Sequence, residues 1–197
     1  MSSLLALIAA TLVLVGIPGP NVALIIANSL QFGFRMGVLT ALGTTVGVAM
    51  QLAVIVAGMA AVIEFAADLL VSIKWVGVAY LAVLGIRTWR EPAGDLTRTK
   101  PASVVFWPSF ALAVANPKTL LFNAAFIPQF IVSDSSSVAD VIMVAAIFLC
   151  VLFMGDVVWA SFAHSAQKVV ARYGRLRNRL TATCFTSAAT GLALARR

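Results

Sequence analysis

VANPKTLL (Val114–Leu121) puts a lysine into a stretch that otherwise reads as oil. The run around it, Val104–Val132, carries Lys118 as its one charge. About 14 residues flank the lysine on either side, or about 21 Å of helix at 1.5 Å per residue. That is too far for the ammonium to snorkel to an interface. A charge at the centre of a membrane helix costs roughly 2.5–3.5 kcal/mol on insertion scales, so it faces the bundle interior and finds partners there.

Composition agrees that lipid is the solvent. The chain of 197 residues is 61% hydrophobic and 11% charged, where a soluble domain carries about 25% charged residues. There is too little polar surface to cover a soluble fold. A helix needs about 20 apolar residues to cross the hydrocarbon. Leu4–Leu30 and Met36–Ile63 are free of charge, and Leu69–Ile86 is interrupted only by Lys74. Val104–Val132 follows, then Val138–Ala163 with Asp140 at its start and Asp156 inside. Leu180–Ala195 is short and rich in Thr, Ser and Ala, the weakest of the six. The fold class is all-α integral membrane, with six transmembrane helices, or five plus a re-entrant segment.

Lys and Arg in the connections set the orientation. Arg35, then Arg87, Arg90, Arg98 and Lys100, then Lys168, Arg172, Arg175, Arg177 and Arg179 mark the first, third and fifth connections as cytoplasmic. Glu64, Asp68, Asp134 and Asp140 mark the others as external, which puts the N-terminus outside. Arg196 and Arg197 then fall on the outer side, the main argument for a re-entrant last segment. The net charge of +7 is therefore a topology signal facing anionic lipid, where each base gains about 1 kcal/mol. Nucleic acid is not a partner, because the bases cluster in short membrane-side loops.

The first segment is not a cleaved signal, since it lacks a basic start and its apolar run continues beyond Pro20. Cys150 and Cys184 make no CxxC and no metal spacing, and read as small buried residues. The single histidine, His164, is placed at an interface. No cofactor and no metal is expected.

Two interruptions organise the rest: GIPGPN (Gly16–Asn21) and ANPK (Ala115–Lys118). Proline removes a backbone donor and breaks or kinks its helix. The freed carbonyls then survive only inside protein or beside a watery cavity. Each break is followed by a similar stretch, NVALIIANSLQF after the first and KTLLFNAAFIPQF after the second. The second segment carries GTTVG (Gly43–Gly47) where the fifth carries MGD (Met154–Asp156). Three segments plus three implies a 3+3 inverted repeat with helices one and four broken. That is the layout of a secondary transporter with its site near the midplane. The chain divides as one transporter domain, 1–197: repeat one about 1–90, a basic cytoplasmic loop about 90–103, and repeat two about 104–197.

The motifs PGPN, GTTVGVAMQLAVIVAGMA, VGVAYLAVLGIRTWR, NPKTLLFNAAFIPQF and GDVVWASF, in that order, resemble the LysE/RhtB family of bacterial amino-acid exporters. The resemblance spans nearly the whole chain. It implies efflux of an amino acid from the cytoplasm across the inner membrane, driven by the proton gradient. In one respect the chain departs from the family's pattern. Many relatives carry an acid or a histidine in the middle of span two, where this chain has Val48 after Gly47 and Gln51 on the next inward turn.

The expected substrate-binding residues are Pro18, Gly19, Pro20 and Asn21, acting through backbone, with Asn116, Pro117, Lys118 and Asn123. Asp156 is the proton-coupling candidate and Gln51 lines the site. In this reading a zwitterion sets its carboxylate on Lys118 and the amides at the breaks, and its ammonium on freed carbonyls and Asp156. Gly43, Gly47 and Gly85 are packing positions, Trp159 is interfacial, and GxxxG-like pairs permit a homodimer. The alternatives are efflux of another small solute or metal cation, or a thiol-disulfide carrier. The first needs His, Asp and Glu clusters and the second needs two cysteines that meet. A hydrolase needs a Ser–His or paired-Asp constellation that one His and one mid-span Asp do not make.

Overall fold

Proline and glycine set where each helix stops, and the apolar runs between them form the helices. The computed structural model describes residues 2–57, 75, 78–79, 82–83, 85–87, 89–90, 101–126, 128–131, 138–171 and 174–194. Every element among them is helical. α1 is Ser2–Gly16, α2 Pro20–Phe32, α3 Phe34–Ala57, α4 Ala102–Val114 and α5 Pro117–Phe126. The short α6 is Pro128–Ile131, α7 is Val138–Ala171 and α8 is Gly174–Leu194. The expected markers Glu64, Asp68, Lys74, Arg98, Lys100, Asp134, Arg172, Arg196 and Arg197 lie outside the described residues.

Both interruptions break their helices. Leu4–Gly16 meets Pro20–Phe32 at 59°, and Ala102–Val114 meets Pro117–Ala124 at 50°. In each case the proline opens the second half, Pro20 in α2 and Pro117 in α5, where the missing N–H has no helical partner to lose. Pro108 lies inside α4 without ending it. Two helices are long and apolar enough to cross a membrane alone, Phe34–Val56 and Val138–Gln167. Counting each bent pair as one span raises this to four among the described residues. α8 has 21 residues, about 31 Å at 1.5 Å per residue, and packs along α2 through Ala23, Leu24, Ala27, Phe185 and Ala189.

Lipid tails are as apolar as leucine, so helices in a membrane associate by close approach and by polar contacts rather than by hydrophobic exclusion. α3 and α4 show the first mode. A Cβ at Gly43 would come within 2.7 Å of Phe106 O, and one at Gly47 within 2.6 Å of Phe110 O. Gly155 of α7 plays the same part against Val15 of α1, 2.5 Å from its Cγ1. Gly85 meets Thr186 and Phe185 of α8. Gly33, at φ 89°, ends α2 and turns the chain into α3; any side chain there would be strained.

Leu7, Leu14, Val48, Leu52, Phe148 and Leu152 form a core joining α1, α3 and α7. Outside it, Leu5, Leu12, Met50, Trp107, Ile142, Met154 and Phe162 are exposed, the surface a helical bundle turns to lipid. Cys150 belongs to that outer face and is exposed, while Cys184 is half-buried. The expectation that both are buried is corrected: a thiol is apolar enough to sit in lipid.

Candidate functional site

The two breaks meet. The last turn of α1 leaves main-chain carbonyls without helical donors, as every helix C-terminus does. They are met by side chains from the other half of the molecule. Lys118 Nζ donates to Leu14 O at 2.5 Å and also to Ile17 O. Trp159 Nε1 donates to Val15 O at 3.0 Å. Gly19 lets the lysine reach this position, because a Cβ there would stand 3.1 Å from Lys118 Cδ.

The second break is closed the same way from α3. Gln51 Nε2 donates to Ala113 O at 2.8 Å and Val114 O at 3.0 Å, the terminal carbonyls of α4. Its Oε1 accepts from Asn123 Nδ2 at 3.1 Å. The break's own asparagine caps the next helix: Lys118 N donates to Asn116 Oδ1 at 3.0 Å, a side-chain cap of the ordinary kind. Gly19, which caps α2, makes no such side-chain bond. The first-turn amides of α2 therefore lack the side-chain acceptor that Asn116 gives α5, and a helix N-terminus in that condition attracts anions.

Between the breaks lies a cavity lined by Leu14, Val15, Gly19, Asn21, Val22, Asn116, Lys118, Thr119, Leu152 and Asp156. It measures about 20 Å³, room for about one water. Asp156 is 2% exposed and accepts from Thr44 Oγ1 at 3.3 Å. Asn21 is 6% exposed and its Oδ1 has no hydrogen-bond partner. One cation, one carboxylate and two amides, those of Asn21 and Asn116, thus share a small space.

Of the residues singled out from sequence, Gly19, Asn21, Asn116, Lys118 and Asp156 line this cavity. Pro18 is exposed, Pro20 is buried and Pro117 half-buried, and none of the three lines it. Gln51 and Asn123 bond each other beside the second break. Leu14, Val15, Val22, Thr119 and Leu152 carried no sequence signal, being ordinary residues in an apolar chain. Trp159 does carry one, as the indole of GDVVWASF, which the sequence alone reads as interfacial. Its N–H instead donates to Val15 O, beside the cavity.

An apolar helical bundle with two broken helices facing each other across a buried polar centre defines an integral membrane transport protein. The chain belongs to the LysE type translocator family, whose model matches residues 12–196. It is a transporter, not an enzyme. It is 32% identical over 170 residues to the cysteine/O-acetylserine efflux protein of Salmonella typhi, covering 85% of this chain and 86% of that one. The cysteine/O-acetylserine efflux protein of Escherichia coli O1:K1 / APEC is 32% identical over 171 residues, at the same coverage of 85% and 86%. No solved structure matches the chain.

Proposed function

We propose that this protein is a proton-coupled secondary exporter, carrying small amino acids with uncharged side chains out of the cytoplasm across the bacterial inner membrane. The observation that carries the reading is the cavity between the breaks, with Lys118, Asp156, Asn21 and Asn116 on its wall. A zwitterion needs a positive and a negative partner a few ångströms apart, and this wall offers both. The carboxylate of the substrate is set on Lys118 and on the first-turn amides of α2. Its ammonium goes to Asp156.

The relatives' cysteine and O-acetylserine are both zwitterions with short, uncharged side chains. Leu14, Val15, Val22 and Leu152 supply a short apolar wall for such a side chain. At about 20 Å³ the cavity is too small for such cargo, which enters only as the two halves separate.

A six-span inverted repeat is supported by the reciprocity of the capping. Gln51 of α3 closes the break in the fourth segment, and Trp159 of α7 closes the break in the first. The second helix of each repeat thus serves the broken helix of the other. Thr44 and Asp156, bonded at 3.3 Å, join those two helices at the centre. Rocking one repeat against the other would open the cavity to each side in turn.

The test is export from cells loaded with dipeptides, with the released amino acids surveyed. Faster release of cysteine, O-acetylserine or a similar neutral amino acid on expression is expected, with no gain for lysine or arginine. Release of basic amino acids alone would overturn the substrate class, and no gain for any amino acid would overturn amino-acid export.

A further inference from the structure

We propose that the carbonyl end of α1 is a seat for a monovalent cation, and that the tethered ammonium of Lys118 fills it in place of a free ion. The inference goes beyond the export reading and stands whatever the cargo is.

The C-terminus of a helix carries about half a negative charge, and here Leu14 and Val15 at that end are buried while Ile17 is exposed. Leu14 O and Ile17 O converge on a single point, which Lys118 Nζ occupies. The neighbouring Val15 O is already met by Trp159, so the two carbonyls form a defined pair rather than a diffuse end. Asp156 lies on the same cavity wall and adds a negative charge when ionised. Carbonyl oxygens backed by a carboxylate are hard ligands, the kind that bind small cations and ammonium groups.

The lysine goes out of its way to arrive there. It is the second residue of α5, where its own helix presents the positive end of the dipole and disfavours a cation. Its stem runs over Gly19, where a Cβ would stand 3.1 Å from Cδ. Each half-helix thereby answers the other: the cation at the start of α5 neutralises the end of α1. A built-in cation holds the two breaks together without any bound ion. Wild-type protein therefore needs neither sodium nor potassium to complete the site.

The experiment is thermal unfolding of the purified full-length protein in detergent. Lys118→Ala removes Cγ, Cδ, Cε and Nζ, the atoms that n-propylammonium replaces. Tetramethylammonium at equal concentration is the control, since it has the charge but no N–H to donate. For Lys118→Ala, n-propylammonium is expected to raise Tm by about 2–4 °C beyond the control, corresponding to about 1 kcal/mol. Wild type is expected to give no such difference. Equal responses of the two proteins would overturn the proposal.

Lys118→Met keeps most of the stem and loses only the head group, and serves with ammonium chloride as its probe should the alanine variant not be recovered. If neither variant is obtained, wild type alone decides. Selective stabilisation by sodium or potassium over choline would show an open seat and end the idea; no selectivity is the expected result.

Discussion

Lys118 Nζ donates to the main-chain carbonyl of Leu14 at 2.5 Å, joining two helix breaks that are 104 positions apart in the chain. The bond explains how a lysine is tolerated at the centre of a hydrocarbon-spanning stretch. It replaces water for the ammonium and, at the same time, replaces a helical donor for the carbonyl. Each group alone would cost several kcal/mol in lipid. The consequences of this arrangement can be measured.

Gly19→Val should impair export more than it impairs folding. The first added carbon already stands 3.1 Å from Lys118 Cδ, and two methyls more must push the stem off its course. Membrane expression is expected to fall by less than twofold and initial export rate by tenfold or more, about 1.4 kcal/mol. Gly16→Ala, where nothing lies within 4 Å, is the matched control and should behave as wild type.

Gln51→Leu should destabilise the second break. It strips the side-chain donor from Val114 O, leaves Ala113 O with backbone N–H donors such as that of Asn116, and leaves Asn123 Nδ2 without its acceptor. Each buried polar group so abandoned costs about 1–3 kcal/mol. In a double-mutant cycle with Asn123→Leu, thermal or denaturant unfolding should give a coupling of about 0.5–3 kcal/mol. Strict additivity would mean that the two side chains do not share a network.

Trp159→Phe should lower stability by about 1 kcal/mol, because the ring volume is mostly kept and one bond to Val15 O is lost. Were Trp159 merely an interfacial anchor, phenylalanine would serve about as well and unfolding would not shift.

Asp156→Asn keeps the size of the side chain and a group able to bond Thr44, 3.3 Å away, but cannot exchange a proton. Under the proton-coupled reading, export from proteoliposomes should lose its acceleration by an imposed proton gradient, while counterflow of labelled against unlabelled amino acid persists. Full gradient-driven export by this variant would remove Asp156 from the coupling step.

Gly47→Leu tests the α3–α4 contact. Any Cβ there meets Phe110 O at 2.6 Å and Ala113 Cβ at 2.8 Å. Backbone cannot step aside as a flexible side chain can, so the helices must separate. Loss of folded protein from the membrane is the expected outcome, read by detergent-extracted monodisperse yield.

What the sequence by itself determined was what single residues and short spacings can impose. An 11% charged chain of 197 residues must use lipid as solvent, and its helices must run between prolines and glycines. A proline at 20 and another at 117 must interrupt those helices, and a lysine at 118 must turn inward. Tertiary structure alone decided what met what. Sequence could not tell that Gln51, rather than a residue near Asn116, would close the second break. Nor could it place the indole of Trp159 on Val15 O, or bring Thr44 onto Asp156. The reason is physical: inside lipid every stranded carbonyl must find a donor, but donors are interchangeable. Which donor arrives depends on how closely the helices approach, and glycines at 43, 47 and 155 set that only once the bundle is assembled.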